Sequence, residues 1–406
     1  MKVDTMRKID RYAGVPLTFL FSIPFLLMYP FRKKKKPNLR KILFIELSEM
    51  GSAIIVDPAM RKLRKESGGE LFFVIFKSNK KSLDILGTIP QGNIFEMRSE
   101  NIFVLALDVL RFTLWCRKNK IKTVIDLELF SRFTALLCAL SGASSRIGFT
   151  QLHDEGNYRG SIINRGVRYN PHVHISVNFF SLINTALGHH DTPYPTKPVY
   201  FEDIKLERAR INAPDQDKVR KKIKSIYPNY QDQKIFLLNV NASDLLPQRK
   251  WLPERFAETG RRFLVEHPDW LVLATGAPAE FDYVKNVVER VGHPQCLNTA
   301  GLFLFEELVP LYSLSQMMLT NDSGPAHFAS VTSLKVFVIF GPETPHLYMP
   351  LGGNAEPIYL GLPCSPCVSA ANHRKTSCTA RPCISGIPVD MVYQKIQNFV
   401  SEPVNA

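Results

Sequence analysis

No glycine-rich G-x-G-x-x-G turn follows any strand-like run of this chain, so the usual fingerprint of a nicotinamide-dependent oxidoreductase is missing. No stretch interleaves basic and aromatic residues and no known nucleic-acid motif occurs, so nucleic acid is not an expected partner. The seven cysteines, four of them gathered near the carboxyl end, do not resemble the disulfide framework of a small secreted domain. A small-residue cleavage site is also absent behind the first apolar segment, where Arg32-Lys33-Lys34-Lys35-Lys36 follows instead, which argues against a signal peptide.

What is present is a globular composition, 45% hydrophobic and 22% charged over 406 residues, a length that predicts two or three domains. The formal charge of +14 is unevenly placed: the ten residues from Arg32 to Lys41 hold seven basic side chains and no acid. Such a run fits an anionic membrane surface. Before it lies the uncharged segment Val15–Phe31, at 17 residues the lower limit for a spanning helix and interrupted by Pro24. It reads as a short single span or as a kinked helix entering and leaving one leaflet, with a buried core helix as the non-membrane alternative. The basic run places the rest of the chain on the cytoplasmic side in either membrane reading.

From Lys41 the chain alternates strand and helix signals, which predicts an α/β fold of doubly wound parallel sheets. Ile42–Glu46, Leu71–Phe76, Thr123–Leu127 and Arg146–Phe149 read as buried strands, with Met60–Glu66 and Phe103–Lys118 the clearest helices between them. Residues 188–216, rich in Pro, Asp and short polar side chains, suggest a boundary. Beyond it Ile235–Val240, Trp270–Thr275, Met317–Asn321 and Val336–Phe340 read as strands. Pro253–Glu266, Ala279–Val291 and a terminal Val389–Val400 read as amphipathic helices. The expected organisation is a hydrophobic anchor and basic linker over 1–40, one Rossmann-like domain over 41–200, a second over 201–388, and a final helix over 389–406. Two such domains facing across a cleft would bind a ligand at the carboxyl ends of their strands.

The most informative stretch is Thr320-Asn321-Asp322-Ser323-Gly324-Pro325-Ala326-His327. A strand that turns directly into a helix leaves backbone N–H donors and a positive dipole end suited to an anion such as a diphosphate. Pro325 fits an early helical position, Asp322 could orient the turn, and His327 falls on the first helical turn. The same octet also reads as an ordinary capped helix.

Several motifs together resemble glycosyltransferase family 9, the heptosyltransferase family. They are Lys41-Ile42-Leu43-Phe44-Ile45 with Met50-Gly51-Ser52 and Pro58-Ala59, then Arg249-Lys250-Trp251-Leu252-Pro253-Glu254-Arg255-Phe256 and Thr275-Gly276-Ala277-Pro278-Ala279-Glu280. Asn321–His327, Phe340-Gly341-Pro342-Glu343-Thr344-Pro345 and Cys364-Ser365-Pro366-Cys367 complete the set. The resemblance covers nearly all of Lys41–Val400. It implies the two-domain GT-B fold, an inverting transfer from a nucleotide diphosphate sugar (ADP-heptose in this family), and a lipid-linked acceptor such as a lipid A-core. It also implies work at the cytoplasmic face of the bacterial inner membrane.

On that reading Ser323 and Gly324 supply backbone donors, and Arg249 and Lys250 bind the phosphates. Asn241 and Ser243 add contacts at the end of a strand, and Glu280 accepts hydrogen bonds from ribose hydroxyls. Arg249 and Lys250 also read as a solvated pair, and Glu280 as complementing a helix dipole. Fixed cations and a helix end serve in place of a catalytic metal, so no cofactor is required for catalysis. The family usually carries an aspartate after the first-loop glycine, thought to act as general base. Ser52 stands there in this chain. Glu49, three residues earlier, is the chosen substitute, ahead of Glu46 and Asp57, because a loop at a strand's carboxyl end points into the cleft. The missing aspartate also motivates a second reading, a catalytically inactive nucleotide- or glycan-binding relative.

Cys364-x2-Cys367-x10-Cys378-x4-Cys383 has a spacing compatible with a structural zinc, with reduced thiols or with disulfides. Cys116, Cys138 and Cys296 read as core filler. His172 and His174, with Arg159 and Arg165 before them, read either as contacts to acidic groups on an acceptor or as surface-loop residues.

Overall fold

The structure, a computed structural model, describes residues 3–27, 36–47, 49–129, 131–150, 158–190, 192–243, 246–369, 372 and 374–402. Most of the basic run, with residues 28–31 of the apolar segment and His373, lies outside the described residues. The chain divides into two units, Met1–Lys205 and Leu206–Ala406.

The first unit opens with helices α1 (Val3–Tyr12) and α2 (Gly14–Leu27). Then follow β1 (Lys41–Ile45), α3 (Met50–Ser67), β2 (Glu70–Phe76), α4 (Lys81–Asp84), β3 (Ile94–Met97) and α5 (Ile102–Lys118). It closes with β4 (Thr123–Asp126), α6 (Arg132–Leu140), β5 (Ser145–Phe149), β6 (Arg165–Val167) and α7 (Ile175–Ala186). All strand pairs are parallel, in the order β3-β2-β1-β4-β5-β6. The order reverses at β1, so the carboxyl ends of β1 and β4 flank the switch point where such sheets bind ligands. Ile42 through Ile45 and Leu71 through Ile75 are almost wholly buried, which is why these strands read as unbroken apolar runs. Helix α3 stops at Gly68, whose left-handed φ of 65° lets its N–H close back on Arg64 O.

The second unit repeats the plan: α8 (Ala213–Ile226), β7 (Lys234–Asn239), α9 (Pro253–Glu266), β8 (Trp270–Thr275), α10 (Phe281–Val291) and β9 (Cys296–Asn298). It continues with α11 (Leu308–Leu314), β10 (Met317–Asn321), α12 (Gly324–Ala329), β11 (Lys335–Ile339), α13 (Pro345–Tyr348), β12 (Ala355–Ile358), α14 (Pro382–Ser385) and α15 (Val389–Ser401). The parallel order is β12-β11-β10-β7-β8-β9, with the switch between β7 and β10. Phe256 and Phe263 of α9, Val284 and Val287 of α10, and Val392 and Ile396 of α15 enter one core with Phe236 and Leu238 of β7. The expected helix Ala279–Val291 begins instead at Phe281, after a 3-10 turn over Pro278–Glu280 in which the Glu280 carboxylate receives the Ala277 N–H.

Candidate active site

In the second unit the carboxyl ends of β7, β8 and β10 bring together most of the expected donor-binding residues. Asn321 organises them. Its side-chain oxygen accepts the Trp251 N–H at 2.8 Å, and its amide donates to Val240 O at 3.3 Å and Asn241 O at 3.2 Å. One wholly buried side chain thus ties the end of β10 to the segment after β7 and to the loop carrying Arg249 and Lys250. The Trp251 indole N–H donates to Ile387 O at 3.1 Å, which anchors that loop from below. Behind the bracket, Asn239 donates to Thr275 Oγ1 at 3.2 Å, and the Thr320 hydroxyl donates to Asn239 Oδ1 at 3.2 Å. Asn239 was not named from sequence, and Thr320 and Trp251 were quoted only within longer motifs, without a part in the bracket.

Asn241 donates to Glu280 Oε1 at 2.6 Å, while Glu280 Oε2 accepts the Ala277 N–H at 2.6 Å. Glu280 is therefore held at both oxygens, each with lone-pair capacity left for a further donor. Arg249 Nη1 lies 3.6 Å from Asp322 Oδ2, both side chains largely buried. The buried Arg249 Nε has no hydrogen-bond partner among the described residues. Lys250 Nζ sits 5.7 Å from the Tyr283 ring centroid, a cation–π contact that holds it beside α10. Ser323 precedes α12 in extended conformation and does not cap it with its side chain; its hydroxyl donates to Asn321 O at 3.1 Å. Of the first N–H groups of α12, that of Gly324 has no Ser323 side-chain acceptor, Pro325 has no N–H, and that of Ala326 donates to Ser323 O at 3.2 Å. His327 is buried on that helix, and Ser243 is exposed beyond β7.

In the first unit Glu49 stands at the N-cap position of α3 and accepts the Ser52 hydroxyl at 3.4 Å. Glu46, at the end of β1, is buried; burial first, then the nearby Glu128, Glu49 and Asp126 carboxylates, hold its carboxyl well above the usual range. Asp57 is buried against Arg61 Nε at 2.6 Å and the Thr88 hydroxyl, so it is a structural ion pair. Arg159 corrects one expectation. It is neither an exposed loop residue nor placed to meet an acceptor, because its guanidinium is buried on Asp126 and donates to the Ser131 and Glu128 carbonyls at 3.1 Å. His174 is likewise committed: its Nδ1 accepts the Ser176 N–H at 3.2 Å and caps α7. His172 is exposed.

The four clustered cysteines are free thiols, Cys364 and Cys367 exposed, Cys378 half-buried and Cys383 buried. Their loop is fastened to the turn after β11 by Cys367 N–H to Pro342 O at 3.1 Å and by the Ser365 hydroxyl on Gly341 O. Among the described residues no group of three or more His, Cys, Asp or Glu side chains is arranged to hold a metal ion.

A sequence model of glycosyltransferase family 9 (heptosyltransferase) matches residues 116–377. The chain is 24% identical over 315 residues to lipopolysaccharide heptosyltransferase 1 of Campylobacter coli, spanning 74% of this chain and 84% of that protein. It is 26% identical to lipopolysaccharide heptosyltransferase 2 of Salmonella typhimurium over 117 residues, 28% of this chain and 33% of that one. The fold is the α/β GT-B fold of solved relatives. Escherichia coli ADP-heptose lps heptosyltransferase II superposes with a TM-score of 0.67 at 15% identity, covering 89% of this chain and 98% of its own. E. coli heptosyltransferase WaaC with ADP gives a TM-score of 0.63 at 15% identity, covering 88% and 99%.

Proposed function

The chain belongs to glycosyltransferase family 9, the heptosyltransferase family, and from that premise we propose that it transfers a sugar from a nucleotide diphosphate to a lipid-anchored surface-glycan acceptor. The lipopolysaccharide core is the acceptor class suggested by the curated relatives, and ADP-heptose is the first donor to test. The observation that carries the reading is the bracket built on Asn321, which sets Arg249 and Lys250 beside the open turn of α12 and Glu280. In this assignment Arg249, Lys250 and the N–H groups of Ser323 and Gly324 take the diphosphate, supplying as fixed charge what a metal ion would otherwise supply. Asp322 orients Arg249, and His327 lines the same turn. Glu280, with Asn241 behind it, accepts from the ribose hydroxyls, and Ser243 adds a hydroxyl at the rim. Glu49 takes the acceptor's proton, assisted by the Ser52 hydroxyl that orients its carboxylate. The transfer inverts the anomeric centre. No metal takes part in catalysis, and the four cysteines are left the structural role of shaping the loop after β12. Residues 15–31 and the basic run hold the enzyme at the cytoplasmic face of the inner membrane, near its acceptor.

The test is to incubate purified protein with a panel of ADP- and UDP-sugars and a bacterial lipid A-core extract. The expected result is a gain of one sugar by the acceptor together with release of nucleoside diphosphate. Donor binding without release in the presence of that extract would instead identify a binding protein. Absence of binding to every donor would reduce the α12 turn to a capped helix.

A further inference from the structure

Among the described residues no helix is long and apolar enough to cross a membrane. Helix α2, with 14 residues, is about 21 Å long against a hydrocarbon core of about 30 Å. More telling is the way α2 is attached. Its inner face is made of Gly14, Thr18 and Ser22, spaced four residues apart and buried. The two hydroxyls bond back into the helix, Thr18 to Gly14 O at 2.8 Å and Ser22 to Thr18 O at 2.6 Å, so no polar atom is stranded. Ser22 also accepts the Ser161 N–H at 2.7 Å. A Cβ on Gly14 would come within 2.9 Å of Arg132, and Phe25 lies 4.0 Å from the Arg146 guanidinium. In α1, Asp10 accepts the Phe133 N–H at 2.8 Å and pairs with Arg132 at 3.2 Å. The helix is therefore fixed flat on the first unit by its small face. Its bulky face is turned to solvent, with Phe19 57%, Leu20 56% and Leu27 69% exposed.

Helix α5 repeats this arrangement. Leu105, Asp108, Phe112 and Cys116 point inward. Phe103, Leu107, Leu110 and Leu114, recurring at helical spacing, are 84%, 52%, 65% and 63% exposed. Both helices pack against α6 and feed the same core cluster, α2 through Phe25 and α5 through Val109 and Trp115, so they lie on one side of the sheet. An outward apolar surface shared by two helices exceeds the scattered exposure normal for a soluble domain.

We propose that α2 and α5 together form a monotopic docking face that lies in the interface of an anionic bilayer. The charges on and beside this face suit that occupant. Helix α2 has no charged residue, and the one acid of α5, Asp108, is turned inward onto Arg98 at 2.7 Å. Arg111, Arg117 and Lys118 are exposed along α5, Lys8 and Arg11 along α1, and seven basic residues follow within Arg32–Lys41. Apolar side chains flanked mainly by cations, with Glu100 before α5 the exposed acid beside them, match the acyl boundary beneath a layer of phosphates. For α2 this rests on the membrane attachment proposed above. It adds α5 as a second contact and makes the attachment in-plane.

The full-length protein would be floated with phosphatidylcholine vesicles and with vesicles containing phosphatidylglycerol. Leu110→Glu with Leu114→Glu on α5, and Phe19→Glu with Leu20→Glu on α2, would each be compared with wild type, with the Gln pairs at the same positions replacing any variant whose melting temperature falls. Wild type should float with the anionic vesicles and less so at high salt, and each pair should weaken partitioning by about tenfold or more. If the α5 pair partitions like wild type while the α2 pair does not, the two-helix face is wrong and attachment through residues 15–31 stands. Wild type failing to float overturns both. Wild type that self-associates without lipid, and becomes monomeric in the α5 pair with flotation unchanged, would make this face a protein interface and overturn the proposal.

Discussion

Replacing Arg249 with alanine tests the donor site where its geometry is most specific. The Arg249 side chain is only 17% exposed, and its Nη1 lies 3.6 Å from Asp322 Oδ2. That separation is too long for a direct hydrogen bond, so the pair positions the cation without saturating its donors. A charge-assisted hydrogen bond to a phosphate oxygen contributes about 1.5–3 kcal/mol, so Arg249→Ala should weaken ADP binding by about 10–150-fold. Asp322, 7% exposed, then faces the diphosphate without this cation, which drives the loss to the upper part of the range. Asp322→Asn in the Arg249→Ala background should recover part of it, because one negative charge beside the proposed diphosphate position is removed. Calorimetric titration with ADP of wild type, both single variants and the double variant measures the cycle, with melting temperatures as a control for folding. An Arg249→Ala affinity within about twofold of wild type, well under one such hydrogen bond, would refute the assignment of this pocket to the diphosphate.

Glu280→Gln should weaken nucleoside binding, because its two oxygens both accept, from Asn241 and the Ala277 N–H; a glutamine must turn its amide toward one of those donors, and titration with adenosine and ADP reads the loss. Glu46→Gln should raise the melting temperature near neutral pH and leave it unchanged in acid. The folded-state pKa of Glu46 is raised above its ordinary 4.5, so its contribution is fully present below 4.5 and is lost as pH rises from there through the folded value. The difference between variant and wild type across pH isolates this group from other buried acids. A thiol reagent should modify Cys364 and Cys367 rapidly in the native protein, whereas Cys116, Cys138 and Cys296 should react only after unfolding, burial having pushed the Cys296 thiol up to about 12. Protection of Cys364 and Cys367 together with one equivalent of zinc by elemental analysis would instead establish a thiolate metal site. Glu49→Gln should lower turnover by about 10²–10⁴-fold with ADP affinity retained, and unchanged turnover would remove Glu49 from the chemistry.

Strands buried on both faces were legible because nothing interrupts them: Trp270–Thr275 and Met317–Asn321 coincide with their expected limits. The outer strands were not. Arg165–Val167 and Cys296–Asn298 are three residues long, and their pairing is set by the neighbouring strand more than by any pattern of their own. In the site, the residue types were visible but their connections were not. Asn241 and Glu280 stand 39 positions apart, and only the side-by-side pairing of β7 and β8 makes them touch. Arg159 shows the opposite case. A basic residue in a polar loop reads as exposed, and its burial on Asp126 depends on a contact 33 residues away. Helix α2 was opaque for a different reason. Being apolar nearly throughout, it carries no periodicity to mark an inner face, and close approach to α6 selected small residues for burial while leaving the large ones outside.

The same logic bears on the missing first-loop aspartate. Three carboxylates near the end of β1 could replace it, and their surroundings separate them. Asp57 is consumed by Arg61 and Thr88 inside α3, and breaking that pair to free a base would cost more than a loop residue would. Glu46 is buried beside Glu128, and burial first, then the neighbouring carboxylates, raise its carboxyl well above the usual range, which disfavours the exposed, charged form a base near the cleft needs. Glu49 is half-buried at the amino end of α3, and the residue that replaces the aspartate donates a hydrogen bond to it. Ser52 therefore has a role that does not require it to take a proton: it fixes the Glu49 carboxylate. With Glu49 as the proposed base, the carboxylate would stand one helical turn before the position that Ser52 now occupies and in hydrogen-bond contact with it, and the retained or lost turnover of Glu49→Gln decides whether the acid has moved or is missing.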